Sequence, residues 1–274
     1  MRSTDGLPPD ITALIAALDG DGLNTWGVAP AAELGDVLPG ARSVLVFGSG
    51  GGHLWRGFCT AIVENATTLT NHTHPFDSHV ARCVAAADAV LDADRPRRWV
   101  LCGATEPGTA PPPFVDFRML AREAGLGHPS RLGLLMGPVY GPWMGLRAAC
   151  VLDDALDPTG PLPGDSPCLT CAAPCVPVCP VGAVPEVGAR APEDPRPLPF
   201  GIRRCAAHRA SGGCATQCGS RNACPEGTDH RYDALEQHYH DNRGTGRKAL
   251  AAHLGIDADG HPGLGPRWAE WAEG

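Results

Sequence analysis

Eight of the twelve cysteines in this 274-residue chain fall between Cys168 and Cys224, in two groups. The first reads Cys168-Leu-Thr-Cys171-Ala-Ala-Pro-Cys175-Val-Pro-Val-Cys179-Pro180. The second places Cys205, Cys214, Cys218 and Cys224 with spacers of eight, three and five residues and ends at Pro225. Residues 161–228 hold few large apolar side chains, too few to bury a core unless cross-links take its place. A disulfide framework is a poor candidate for those cross-links, because a chain of enzyme size does not need such staples. The start, Met1 to Asp10, has neither the positive charge nor the apolar run of a secretory signal, so a reducing, cytoplasmic compartment is expected. Metal ligation is the leading explanation for the cysteines.

Both groups end in Cys-Pro. In two-cluster bacterial ferredoxins three closely spaced cysteines wrap one [4Fe–4S] cubane, while a fourth, followed by proline, crosses to the other. That rule assigns Cys168, Cys171, Cys175 and Cys224 to one cluster, and Cys179, Cys205, Cys214 and Cys218 to a second. Iron in a sulfide cage prefers soft thiolates, and short spacers let backbone amides point at the sulfurs. Three residues separate Cys171 from Cys175 where the commonest pattern has two, and the second group is looser still. A pair of four-cysteine zinc sites is the alternative, for which paired C-x2-C knuckles across a longer loop are expected; overlapping quartets with Cys-Pro ends fit this poorly. A single cluster is the other alternative. Cys59, Cys83, Cys102 and Cys150 stand among Ala, Val and Leu and read as small core residues.

The rest of the chain reads as α/β. Residues 10–18 carry apolar side chains at helical spacing, as do 77–94 and 114–125; short apolar runs at 24–28, 43–47, 99–102, 132–135 and 146–152 suit strands buried in a sheet. Asp, Pro and Gly dominate from Asp153 to Pro167, and Pro192, Pro195, Pro197 and Pro199 form a second cluster. Three regions are expected: an α/β domain over 1–160, the cysteine module over 161–228 and a helical tail over 229–274, with helical periodicity at 232–242 and 247–254. The formal charge of −8 disfavours nucleic acid and anionic membrane as partners, and no 18-residue apolar stretch occurs.

Gly48-Ser-Gly-Gly-Gly52-His53 follows a strand and precedes a helix, so Gly50, Gly51 and Gly52 are candidates for close approach of a cofactor edge to bare backbone. The spacing is not that of a dinucleotide fingerprint. His72, His74 and His79 are expected in a solvated loop, interrupted by Pro75 and by a helix cap at Asp77. His208, His230, His238 and His240 could tune a cluster, but nothing in their spacing singles one out.

Three stretches resemble the superfamily of epoxyqueuosine reductase and the corrinoid reductive dehalogenases, with remoter similarity to the cobalamin-processing protein of methylmalonic aciduria type C. One is Ala121-Arg-Glu-Ala-Gly-Leu-Gly-His-Pro-Ser-Arg131 with the run Leu132 to Arg147 and Val151-Leu-Asp-Asp-Ala-Leu156. Another is the cysteine module with Arg203-Arg-Cys205, and the last is Ala41-Arg-Ser-Val-Leu-Val-Phe47 with Asp77-x-His79. The resemblance implies a nitroreductase-like mixed sheet flanked by helices, a ferredoxin-like two-cluster module, and a base-off cobalamin held between them. It carries Gly127, Arg131, Tyr140, Gly141 and Trp143 over as pocket residues, and implies an external electron donor such as a flavodoxin or ferredoxin. Two departures stand out. The position of the reductases' acidic proton donor falls in Ala110-Pro-Pro-Pro113, with Asp116 several residues too late, and the tail after Cys224 is too short for the helical repeats that help those enzymes hold tRNA. Three functions follow: a corrinoid-dependent reductase of a small molecule, a protein that processes cobalamin as its own substrate, or a ferredoxin-like electron carrier.

Overall fold

The computed structural model describes residues 3–31, 34, 36–103, 115–186 and 200–256. The Ala110–Pro113 stretch and the proline cluster from Pro192 to Pro199 lie outside these residues. The chain forms two compact units: residues 1–128 with 144–164, and residues 129–143 with 165–274.

In chain order the elements up to residue 152 are α1 (Pro9–Gly20), β1 (Thr25–Pro30), β2 (Ser43–Gly50), α2 (His53–Glu64), α3 (Thr67–Thr70), α4 (Pro75–Asp88), β3 (Arg97–Leu101), α5 (Phe117–Glu123), β4 (His128–Pro129), β5 (Leu135–Met136) and β6 (Met144–Leu152). The first unit is an α/β layer structure built on a four-stranded sheet, order β1-β2-β6-β3, whose neighbouring strands all pair antiparallel. All eight residues of β2 are buried, so both faces of the sheet are covered there, which is why its sequence reads as a continuous run, Val44-Leu45-Val46-Phe47, without polar alternation. A bulge between Phe47 and Gly48 shifts the register toward the glycine loop.

Helix α1 turns Ile11, Leu14, Ile15 and Leu18 inward at steps of three and four. Helix α5 is capped by Asp116, whose side chain accepts from the amides of Arg118 and Met119, and it packs on β1, β2 and β6. Its end comes so close to β1 that a Cβ on Gly27 would lie 2.2 Å from the Ala124 carbonyl oxygen. Helix α4 begins at Pro75, two residues before the expected Asp77 cap, because proline's fixed φ suits a first helical position. His79, expected to be solvated, instead lies on the inner face of α4, 8 % exposed. The helix also stops at Asp88 rather than Asp94, where the Asp88 carboxylate receives the Arg97 guanidinium at 2.6 and 2.9 Å and Trp99 Nε1 at 2.7 Å.

The second unit adds α6 (Ile202–Ala210), α7 (Gly219–Asn222), α8 (Ala234–Asp241) and α9 (Arg243–His253). Its apolar cluster joins Leu132, Met136 and Val184 to Cys168, Cys175 and Cys224, with Val176, Cys179 and Phe200 packed around them. Residues 129–143 therefore belong with the cysteines rather than with an α/β domain ending at residue 160, since Leu132 and Met136 find their apolar neighbours there. The expected 132–135 strand shrinks to β5, because Gly133 takes φ +69 with its α-carbon against the Phe200 ring. Among the described residues no helix is long and apolar enough to cross a membrane.

Candidate functional site

Cys168, Cys171, Cys175 and Cys224 line one pocket, walled by Leu132, Met136, Pro167, Pro174 and Pro225. Cys168 sits in a single 3-10 turn, Pro167–Leu169, whose start is fixed by Ser166: its hydroxyl donates to Pro129 O at 2.8 Å and accepts from the Cys168 amide at 3.3 Å. The long Cys171–Cys175 spacer is taken up by Ala173, which adopts φ +55 and aims its N–H at Cys171 Sγ, 3.3 Å away. Arg131, 4 % exposed, ties the pocket together by donating to Glu186 O at 2.7 Å and to Cys168 O at 3.3 Å. Burial, followed by the charges of Cys168, Cys224 and Cys171, pushes the Cys175 thiol up. Cys224 is raised by burial too, against an opposing hydrogen bond from the Glu226 amide.

The other four cysteines lie in the same unit. Burial pushes Cys179 up, but the amides of Val181, Ala183 and Val184 and the Ser220 side chain outweigh it and hold the thiol below its ordinary range. The Ala183 amide lies 3.2 Å from its sulfur. Cys205 lies on α6 and is raised by burial, lowered by Arg209, and raised again by the charges of Cys218 and Cys179. Cys214, at φ +50, is raised by burial and then by Cys218. Cys175 feels Cys168, Cys224 and Cys171, and Cys205 and Cys214 both feel Cys218. Among the described residues no three His, Cys, Asp or Glu side chains converge as ligands of a single metal ion do.

No family model matches the chain, and no curated protein matches it in sequence. Solved structures do match. A selenomethionine-labelled epoxyqueuosine reductase superposes with TM-score 0.56 at 14% identity, over 96% of this chain and 80% of that one. The chain has the fold of epoxyqueuosine reductase. The B12-trafficking protein CblC of C. elegans gives TM-score 0.50 at 12% identity over 90% of this chain and 97% of its own. A reductive dehalogenase gives 0.51 at 17% identity over 97% of this chain and 39% of its own.

On this epoxyqueuosine reductase fold the other expected site residues fare unequally. Gly51 and Gly52, at φ +64 and +70, make the tight turn into α2 and stay partly exposed. Gly50 is buried, with both backbone polar groups taken by Asn24: its N–H donates to Oδ1 at 2.8 Å and its carbonyl accepts from Nδ2 at 3.1 Å. Gly127 is buried in the first unit. In the second, Tyr140 keeps partial exposure and stands edge-on to His230, ring centroids 4.8 Å apart. Gly141 meets backbone, not open space: a Cβ there would lie 2.5 Å from Glu226 O, and one on Gly227 would lie 2.2 Å from Tyr140 O. Trp143 is wholly buried, its indole edge-on to Tyr232 and its face 4.6 Å from the Arg221 guanidinium carbon, which also lies 4.6 Å from the Tyr232 ring. Asp116, the acid nearest the reductases' proton-donor position, is committed to the α5 cap.

Four residues near the cysteines escaped the sequence reading: Arg209, Asp241, Arg221 and Gly227. Only Arg209 carried a signal, standing four residues after Cys205 on a helix. The others meet their partners through tertiary packing, which local spacing does not encode.

Proposed function

We propose that the second unit holds two [4Fe–4S] clusters, one on Cys168, Cys171, Cys175 and Cys224 and one on Cys179, Cys205, Cys214 and Cys218, and that the protein is an electron-transferring oxidoreductase. The observation that carries this reading is the pocket lined by the first four sulfurs, drawn from two distant sequence groups. A bound cluster supplies one-electron transfer at low potential. The chain's own part is to present deprotonated sulfur, to aim amides such as those of Ala173 and Ala183 at it, and to exclude water with proline and methionine walls.

The fold extends the proposal to a cobalamin that receives those electrons for reductive chemistry on a small molecule, with an external donor such as a flavodoxin or ferredoxin. Gly51 and Gly52 of the first unit stay partly exposed, as does Tyr140 of the second, whereas Gly50, Gly141 and Trp143 are spent on protein contacts. A second reading, that cobalamin is itself the substrate, is favoured by the likeness to a B12-trafficking protein and by the employment of Asp116 as a helix cap. An epoxyqueuosine reductase has been solved with a tRNA stem loop; the formal charge of −8 here speaks against tRNA as a partner.

Anaerobic purification with iron and sulfide analysis tests the clusters: about eight irons per chain are expected. Replacing Cys175 by Ser is expected to remove about half of that iron. Colourless or zinc-loaded protein would overturn the proposal. Adding cob(II)alamin and recording its spectrum then tests the corrinoid, since an unchanged spectrum leaves only an electron carrier.

A further inference from the structure

Arg209 is 7 % exposed, an unusual place for a guanidinium unless countercharge surrounds it. It lies one turn beyond Cys205 on α6, so both side chains leave the same face of the helix. Its Nη1 donates to Asp241 Oδ1 at 2.8 Å and to Asp241 O at 3.0 Å, and the two side chains are 8% and 12% exposed. The positive charge of the guanidinium acts on the side chains of both Cys205 and Cys214. Arginine has five N–H donors, and Asp241, the last residue of α8, holds the fork through Nη1.

We propose that Arg209, oriented by Asp241, is a positioning residue that raises the reduction potential of the centre bound by Cys179, Cys205, Cys214 and Cys218. This rests on the iron–sulfur reading above. Reduction of a four-thiolate centre adds one electron and no proton, so the bound group becomes more negative by one charge. A fixed cation at the sulfurs stabilises the more negative state more, and a low-dielectric surround strengthens the effect. Asp241 acts in two ways: its carboxylate holds the fork in place, and its own negative charge partly offsets the cation.

The test is a mediated dithionite titration of the anaerobic holoprotein, read by electron paramagnetic resonance beside iron and sulfide counts, for wild type, Arg209→Gln and Asp241→Asn. Arg209→Gln is expected to weaken reduction of one centre about tenfold or more, a fall of about 59 mV for one electron, while the other centre stays at its wild-type value. Asp241→Asn keeps an acceptor for the fork and removes the offsetting charge, so the same centre should become easier to reduce. Opposite shifts from the two halves of one ion pair are not produced by general loosening of the fold. Wild type that takes up no iron overturns the iron–sulfur reading and this proposal with it. Wild type with two centres, neither shifted by Arg209→Gln, overturns this proposal alone. If Arg209→Gln fails to hold its iron, Asp241→Asn decides: an upward shift supports the proposal, and an unchanged or lowered potential refutes it.

Discussion

His79 stands on the inner face of α4 with its Nε2 3.7 Å from Cys83 Sγ and its ring centroid 5.6 Å from that of Phe58. Burial, helped by the charge of Arg82, pulls its pKa from 6.5 down to about 4, while burial and the charge of Asp21 push the Cys83 thiol up to about 11. Both groups are therefore neutral near pH 7 and act as packing. Between pH 6.5 and 4 the unfolded chain binds a proton at His79 that the folded protein refuses, so this residue's contribution is full above 6.5 and is lost as the pH falls toward 4. A shift of this size corresponds to about 3 kcal/mol. The thermal midpoint of wild type should fall steeply from pH 7.5 to pH 5, and His79→Gln should show a shallower fall; parallel slopes would assign the acid sensitivity elsewhere. Cys83 was legible as a core residue from its Ala and Val neighbours. His79 was not, because a polar side chain grouped with His72 and His74 read as solvated, whereas the helix opened by Pro75 turns it inward.

At the scale of elements, continuous apolar runs were readable and close approaches were not. The β2 run and residues 148–152 of β6 stood out in the sequence because strands buried on both faces lack polar alternation. The Tyr140–Gly141 turn looked like a ligand-facing loop, yet its glycine is required by the backbone of Glu226 and Gly227, next to Cys224 and Pro225. That contact joins residues far apart in the chain and leaves no mark in either local pattern. Gly141 also takes φ +54, so Gly141→Ala meets both a left-handed backbone and a Cβ at 2.5 Å from a carbonyl oxygen. Overpacking of this kind costs about 1–3 kcal/mol, and the strain falls on the segment that carries Cys224. With the two proposed clusters bound, the variant should lose iron to a chelator faster than wild type, with loss confined to about four of about eight irons; loss at the wild-type rate would show that the turn does not support the site.

The two units differ in what holds them together. The first buries Phe47, Phe58, Ile11, Leu14, Leu45 and Leu54 to less than 2 % exposure, a conventional apolar core around a sheet. In the second unit Trp143, Tyr232, Tyr239 and Leu250 are buried too, but one buried cluster is half cysteine: Cys168, Cys175 and Cys224 beside Leu132, Met136 and Val184. The sequence announced this contrast through its composition, since residues 161–228 hold few of the large apolar residues a core needs; it did not announce that residues 129–143 and the C-terminal helices join that segment. If metal centres stand in for hydrophobic contact, their removal acts on the second unit alone. Anaerobic chelation followed by hydrogen–deuterium exchange should therefore collapse protection across 165–186 and 200–241 while β2 and β6 keep theirs. Uniform loss in both units would mean that the first depends on the second for its stability, and full retention would mean that the cysteines pack well enough as thiols to hold the unit without iron.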